Sequence, residues 1–176
     1  MTDIADILRR LENLIRLGTI AAVEGKRCRV QTGGLETEWL PWFALRAGED
    51  RDWDPPSEGE QCMLFSPSGE PALGVALVGL YSDQFDAPDD NPNRRRRTYR
   101  DGAVVEYDTE THTLRAILPA AGRVEIVAPG GFALTGDVAI DGTVTVSRDV
   151  VASGISLLEH VHGGVMPGGG TTGGPQ

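Results

Sequence analysis

Two of the protein's three histidines, His160 and His162, are separated by a single valine in the stretch SLLEHVHGGVMPGGGTTGGPQ. Imidazole nitrogens are common metal ligands. Side chains alternate faces along an extended chain, so imidazoles at positions i and i+2 point the same way. One chain thus offers two nitrogens to one point, too few for even a four-coordinate site. Three chains around a common axis offer six in two stacked triangles, which is octahedral ligation. Nitrogen ligation of that kind disfavours zinc and suits iron, cobalt or nickel. Gly168, Gly169, Gly170, Gly173 and Gly174 follow, and they permit the tight left-handed turns by which converging chains fold back around a point.

Such a site needs elements that hold three chains in register. Ile4, Ile7, Leu8, Leu11, Leu14 and Ile15 recur at helical spacing, with Asp3 placed to cap the start and Gly18 as a stop signal. This predicts an amphipathic helix of about four turns, marginal alone. From Thr19 the period becomes two. TIAAVEGKRCRVQTGGLETEWLPWF reads as strands broken at Glu24-Gly25 and Gly33-Gly34, and QCMLFSPSGEPALGVALVGLY as two more around Pro67–Gly69. A polar loop, GEDRDWDPPSEGE, lies between. Short strands without a helical interlude predict a small barrel of OB type.

DQFDAPDDNPNRRRR combines turn signals with a charge block and reads as a linker, with Arg94–Arg97 as a solvated or ion-paired run. Beyond Thr98, AVVEYD, TLRAIL, RVEIVA, FALTG, DVAID, TVTVS and DVVAS are short alternating segments separated by Gly-containing corners. Val124, Ile126, Phe132, Leu134, Val138, Ile140, Val144 and Val146 form one narrow apolar stripe with no second layer to cover it. Neighbouring copies must supply the cover, and three chains wound about one axis also close the sheet edges. The expected organisation is mainly β: a helix over 1–17, a barrel over 18–86, a linker over 87–97, an intertwined triple-stranded β-helix over 98–158 and an apex over 159–176.

Composition narrows the function classes. With 26 acidic against 16 basic residues the formal charge is −10, which repels phosphate backbones. The longest apolar stretch, Ala72 to Leu80, is far shorter than the roughly 20 residues a spanning helix needs. The acidic MTDIADI start is unlike a secretory signal, so synthesis and retention in a bacterial cytoplasm are expected. Cys28 and Cys62 lack metal-ligand spacing and read as buried thiols. His112 reads as an exposed strand position.

Helix, small barrel, repetitive short strands, HVHGGV and the closing PGGGTTGGPQ together resemble the baseplate assembly protein V family, the central spikes of contractile phage tails and tailocins. The resemblance implies a homotrimer with an OB-fold base that meets the tail tube and baseplate hub. It also implies a β-helical shaft that pierces the target's outer membrane, and a virion or tailocin location. At the apex it implies iron, about one ion per trimer, held by His160 and His162 of each chain, with room for further axial ions such as calcium. No catalysis, nucleic acid or small-molecule substrate is expected.

Two other readings compete on the residues. Gly154, His160 and His162 fit GxxxxxHxH, the opening of the cupin metal motif, but no Asp or Glu follows His162 to serve as the carboxylate ligand of a metalloenzyme. An OB-fold nucleic-acid module would stack bases on Trp39, Trp42, Phe43 and Trp53. Glu36, Glu38, Glu49 and Asp50 flank those rings with the wrong charge for a phosphate track, so a core or docking role suits them better.

Overall fold

In a computed structural model the protein is described over residues 3–162, with Gly164 and Gly168. It is mainly β, with a single α-helix among the described residues, and falls into two compact units that meet in sequence at Val124 and Glu125.

Helix α1 runs from Ile4 to Asn13, begun by the Asp3 carboxylate accepting the Ala5 amide at 3.2 Å. It is shorter than the sequence predicts. Leu14 and Ile15 fit a helical stripe, but sheet pairing takes them: the Leu14 carbonyl accepts the Ser66 amide, and Ile15–Thr19 pair antiparallel with Gln61–Phe65. Gly18 is accordingly a strand residue and not a helix stop. A Cβ there would lie 2.7 Å from the Gln31 carbonyl and from Val30, so only glycine lets the neighbouring strand approach.

Strands β1 (Ile15–Glu24), β2 (Arg27–Thr32), β3 (Leu35–Glu36), β4 (Gln61–Phe65) and β5 (Val75–Leu80) form one sheet in the order β3-β2-β1-β4-β5. The segment after β3 joins the two sides. Leu40 exchanges backbone hydrogen bonds with Cys28 of β2, while Pro41 and Phe43 bond Ala76 of β5. This bridging closes the sheet into a small barrel and removes open edges. Ile20, Cys28, Val30, Leu40, Cys62, Leu64 and Ala76 are its sealed core.

Cys28 and Cys62 are free and fully buried, and burial pushes both thiols up to about 11. Since the thiolate is the reactive form, neither should react with a maleimide in the native protein at pH 7. Both should label at the rate of barrel opening, which mass spectrometry would read directly.

A three-stranded antiparallel sheet follows in the same unit: β6 (Arg94–Thr98), β7 (Val104–Asp108) and β8 (Thr113–Ile117), in that order. The arginine run expected in a linker is therefore strand. Register explains it, because Arg94 lies opposite Asp108 and Arg96 opposite Glu106. Opposite charges facing across strands favour the pairing. His112 lies in the turn before β8 with φ 54°, not in a strand.

In the second unit, strands β9 (Val151–Ala152) and β10 (Ile155–Ser156) make a hairpin. Ser153 and Gly154 both have positive φ, the conformation of a type I′ turn. RVEIVA, FALTG, DVAID and TVTVS, predicted as strands, form no β-ladder within one chain. Val124, Ile126, Phe132, Leu134, Val138, Ile140, Val144 and Val146 are 47–68% exposed. Among the described residues, no helix is long and apolar enough to cross a membrane.

Candidate functional site

The β9–β10 hairpin delivers the chain to the histidine pair. Asp149, just before β9, accepts the Val150 amide at 2.8 Å and the Leu158 amide at 3.1 Å through one carboxylate oxygen. Ser156 ends β10, and its hydroxyl oxygen shares the Leu158 amide with Asp149. The same oxygen accepts the amides of Leu158 and Glu159, at 3.1 and 2.8 Å. The Ser156 hydroxyl, followed by these amide hydrogen bonds, holds the Asp149 carboxyl below the usual carboxylate range.

One turn on, the Ser156 carbonyl meets the backbone amide of His160 at 3.2 Å and its Nδ1 at 2.9 Å. A carbonyl only accepts, so Nδ1 carries a proton, and it is Nε2 whose lone pair the neutral ring offers. His162 is close by, the two ring centroids 5.1 Å apart and the planes at 81°. Both side chains are exposed. The structure thus brings the two predicted ligands together and leaves them open to a further partner. Among the described residues of one chain, no group of three or more His, Cys, Asp or Glu could hold a metal alone. The glycines at 169, 170, 173 and 174, read as the turn-forming tail, lie outside the described residues, and Gly168 is described without a regular element.

Asp149 and Ser156 were not legible as site residues. A Ser four residues before a His and an Asp next to a valine strand are ordinary surface patterns, and only the hairpin turn brings them together.

The remaining candidates fall elsewhere. Trp42 packs on Trp53 at 5.9 Å and Phe43 edge-on to Phe65 at 6.5 Å, while Arg29 lies over the Trp39 ring. They dress the barrel and its 44–54 loop, and Trp53 and Phe43 remain largely exposed.

The arginine run is an ion-pair ladder. Arg94 pairs with Asp89 and Asp108 at 3.2 and 3.3 Å, and Arg96 with Asp89 and Glu106 at 3.5 and 3.3 Å. Arg97 pairs with Asp54 of the barrel loop and stacks on Tyr99. Arg95 instead donates to the backbone carbonyls of Pro92 and Arg94. The Asp89 and Asp108 side chains are only 14% and 12% exposed.

Both of those carboxyls are held below their usual range. For Asp89 the Asn91 amide is the larger cause and Arg94 the next; for Asp108 it is the Thr111 amide, with Glu110 and Arg94 adding to it. A depressed folded-state value stabilises the fold above the unfolded carboxylate range near 4, and that contribution is lost as pH falls through the folded values. Urea midpoints should therefore drop on acidification below about pH 4. Arg94→Gln should lower the midpoint at pH 7 more than Arg95→Gln does; equal effects would mean that the ladder contributes nothing.

Comparison with known proteins places these features. Residues 16–81 match the model of the type VI secretion system/phage-baseplate injector OB domain, and residues 154–176 match the GpV apex motif. The spike protein of Escherichia phage P2 is 37% identical over 137 residues, which is 73% of this chain; the chain covers 65% of that curated relative's length. The injector match spans the barrel, and the apex match begins in the hairpin turn at Gly154 and takes in both histidines. With the two models matched in that order and the P2 spike aligned over 65% of its length, the chain carries the injector OB domain and the apex motif and is similar to the phage baseplate spike proteins.

Proposed function

We propose that three copies of this chain form the central spike at the tip of a contractile tail or tailocin baseplate. The barrel docks on the tube and hub, the sheet of β6, β7 and β8 joins it to the shaft, the segment carrying the apolar stripe forms the shaft, and residues 159–176 form the apex. When the sheath contracts, the spike is driven through the target's outer membrane. Its work is mechanical, and no bond is made or broken.

The observation that carries this reading is the exposed apolar stripe from Val124 to Val146, in a segment that makes no ladder of its own. Eight large apolar side chains at regular spacing are costly to leave in water. Copies of the same segment, with the same period, cover them and pair their backbones, giving the rigid, edge-free shaft a piercing tip requires.

The apex donor set fits a metal. Two exposed imidazoles per chain, one with Nδ1 turned to the Ser156 carbonyl and Nε2 away from it, become six nitrogens in a trimer. His160 and His162 would hold the ion, with iron as the family's expectation, and the ion would tie three chain ends into one hard point.

Light scattering of the purified protein at micromolar concentration should give the mass of three chains. A monomer would remove both the shaft and the piercing reading. Electron microscopy of native particles with an antibody to the barrel should place the protein at the tail tip, and label along the sheath would exclude that position.

A further inference from the structure

We propose that Asp149 and Ser156 are positioning residues for the apex histidine, a hydrogen-bonded relay that fixes the His160 ring so that Nε2 faces a metal. The inference rests on the reading of His160 as a ligand.

The relay begins with the Asp149 carboxylate, which accepts the Val150 and Leu158 amides. The Ser156 hydroxyl oxygen accepts the same Leu158 amide and the Glu159 amide, so one amide ties the two side chains together. The result is a tight turn over 156–160 whose conformation is set from both ends. That turn aims the Ser156 carbonyl at the His160 amide and at Nδ1, 2.9 Å away. A ligand histidine is commonly held in one tautomer and orientation by a carbonyl or carboxylate on its other nitrogen. Here the Ser156 carbonyl stands in that place, 2.9 Å from Nδ1. Among the described residues, the contact of His162 is with the His160 ring, so the relay gives the two ligands different roles. His160 is held ready, and His162 is oriented by its partner ring and by the ion.

The hairpin makes this economical. Asp149 and Ser156 flank β9–β10 on either side, and the Leu157 amide bonds the Val150 carbonyl at 2.9 Å. The turn at Ser153-Gly154 therefore brings the carboxylate and the hydroxyl together. Any loosening of the hairpin is transmitted to the His160 ring and not only to the strand ends.

The test uses the full-length protein stripped of metal. Nitrogen NMR of histidine-labelled wild type should show His160 with Nδ1 protonated before metal is added, and a ring protonated on Nε2 instead would overturn the proposal without any variant. Cobalt(II) alone is then titrated, read by its visible absorption bands. Ser156→Ala and Asp149→Ala should mix the His160 tautomers and weaken cobalt binding by roughly 10–100-fold, with trimer mass unchanged, while Ser156→Thr, which keeps the hydroxyl, should restore both. Wild-type affinity and tautomer in Ser156→Ala and Asp149→Ala would overturn the relay. His160→Ala separates the two levels: cobalt bands persisting unchanged there would mean that His160 is no ligand and the underlying metal reading fails.

Discussion

His160→Ala or His162→Ala should empty the protein of tightly bound metal while leaving three chains associated. Each substitution acts three times in a trimer and removes half of the nitrogen set at once. Three remaining imidazoles on an open tip, with no carboxylate among the residues after His162, cannot complete a six-coordinate site. Metal content, about one ion per trimer in wild type, should fall to background by elemental analysis. A ligand that binds only the folded state stabilises it by RT ln(1 + [L]/Kd), about 4 kcal/mol at a thousandfold excess over Kd. Thermal melting should therefore lose a metal-dependent increment in both variants, and a chelator should produce the same loss in wild type. Acid should do so as well, since a protonated imidazole has no lone pair to give. The shaft is expected to hold the trimer, because its stripe from Val124 to Val146 does not involve the histidines. One ion per chain, or unchanged metal in either variant, would exclude a shared six-histidine clasp.

What the sequence made legible follows from which signals are local. The His-Val-His spacing is a two-residue relation, and alternation alone predicts that both rings point one way. In the structure the pair lies beyond β10 and outside any strand, and a turn from Ser156 to His160, not alternation, precedes rings whose centroids are 5.1 Å apart. The barrel strands were readable because Gly-containing breaks separate runs with period two, as at Glu24-Gly25 between β1 and β2. The end of α1 was misread because Leu14 and Ile15 satisfy helical and strand patterns equally, and the choice is made by Gln61–Phe65, some 45 residues away in sequence. Arg94–Arg97 looked like a connector for a similar reason. Four like charges predict no strand until the acids they face, Glu106 and Asp108, are known to lie in register. The Asp149–Ser156–His160 relay was invisible for want of any periodic signature, since it depends on a hairpin turn closing over seven residues. The apolar stripe is the opposite case. It was plain in the sequence, yet within one chain it builds no ladder, and on the proposed reading its partners are copies of itself.

A single carboxylate placed on that stripe should therefore do more damage than any other substitution in the shaft. Ile140→Asp puts an ionised side chain where three copies are expected to converge, and the local geometry within one chain does not oppose it, as Ile140 is 62% exposed there. An uncompensated buried charge costs roughly 3–5 kcal/mol. Three of them on one axis, in mutual repulsion, cost on the order of 10 kcal/mol, comparable with the whole stability of a typical domain. The variant should run as a monomer or a broad mixture by light scattering at micromolar concentration, with its barrel still folded and its two cysteines still protected from maleimide. Thr143→Asp serves as the control: Thr143 lies off the stripe, so the same charge there should leave the trimer mass unchanged. Metal binding should be lost in Ile140→Asp although both histidines are present, because two imidazoles on one chain cannot complete the site. A trimeric Ile140→Asp protein that keeps its metal would show that the stripe is not the surface on which the three chains meet.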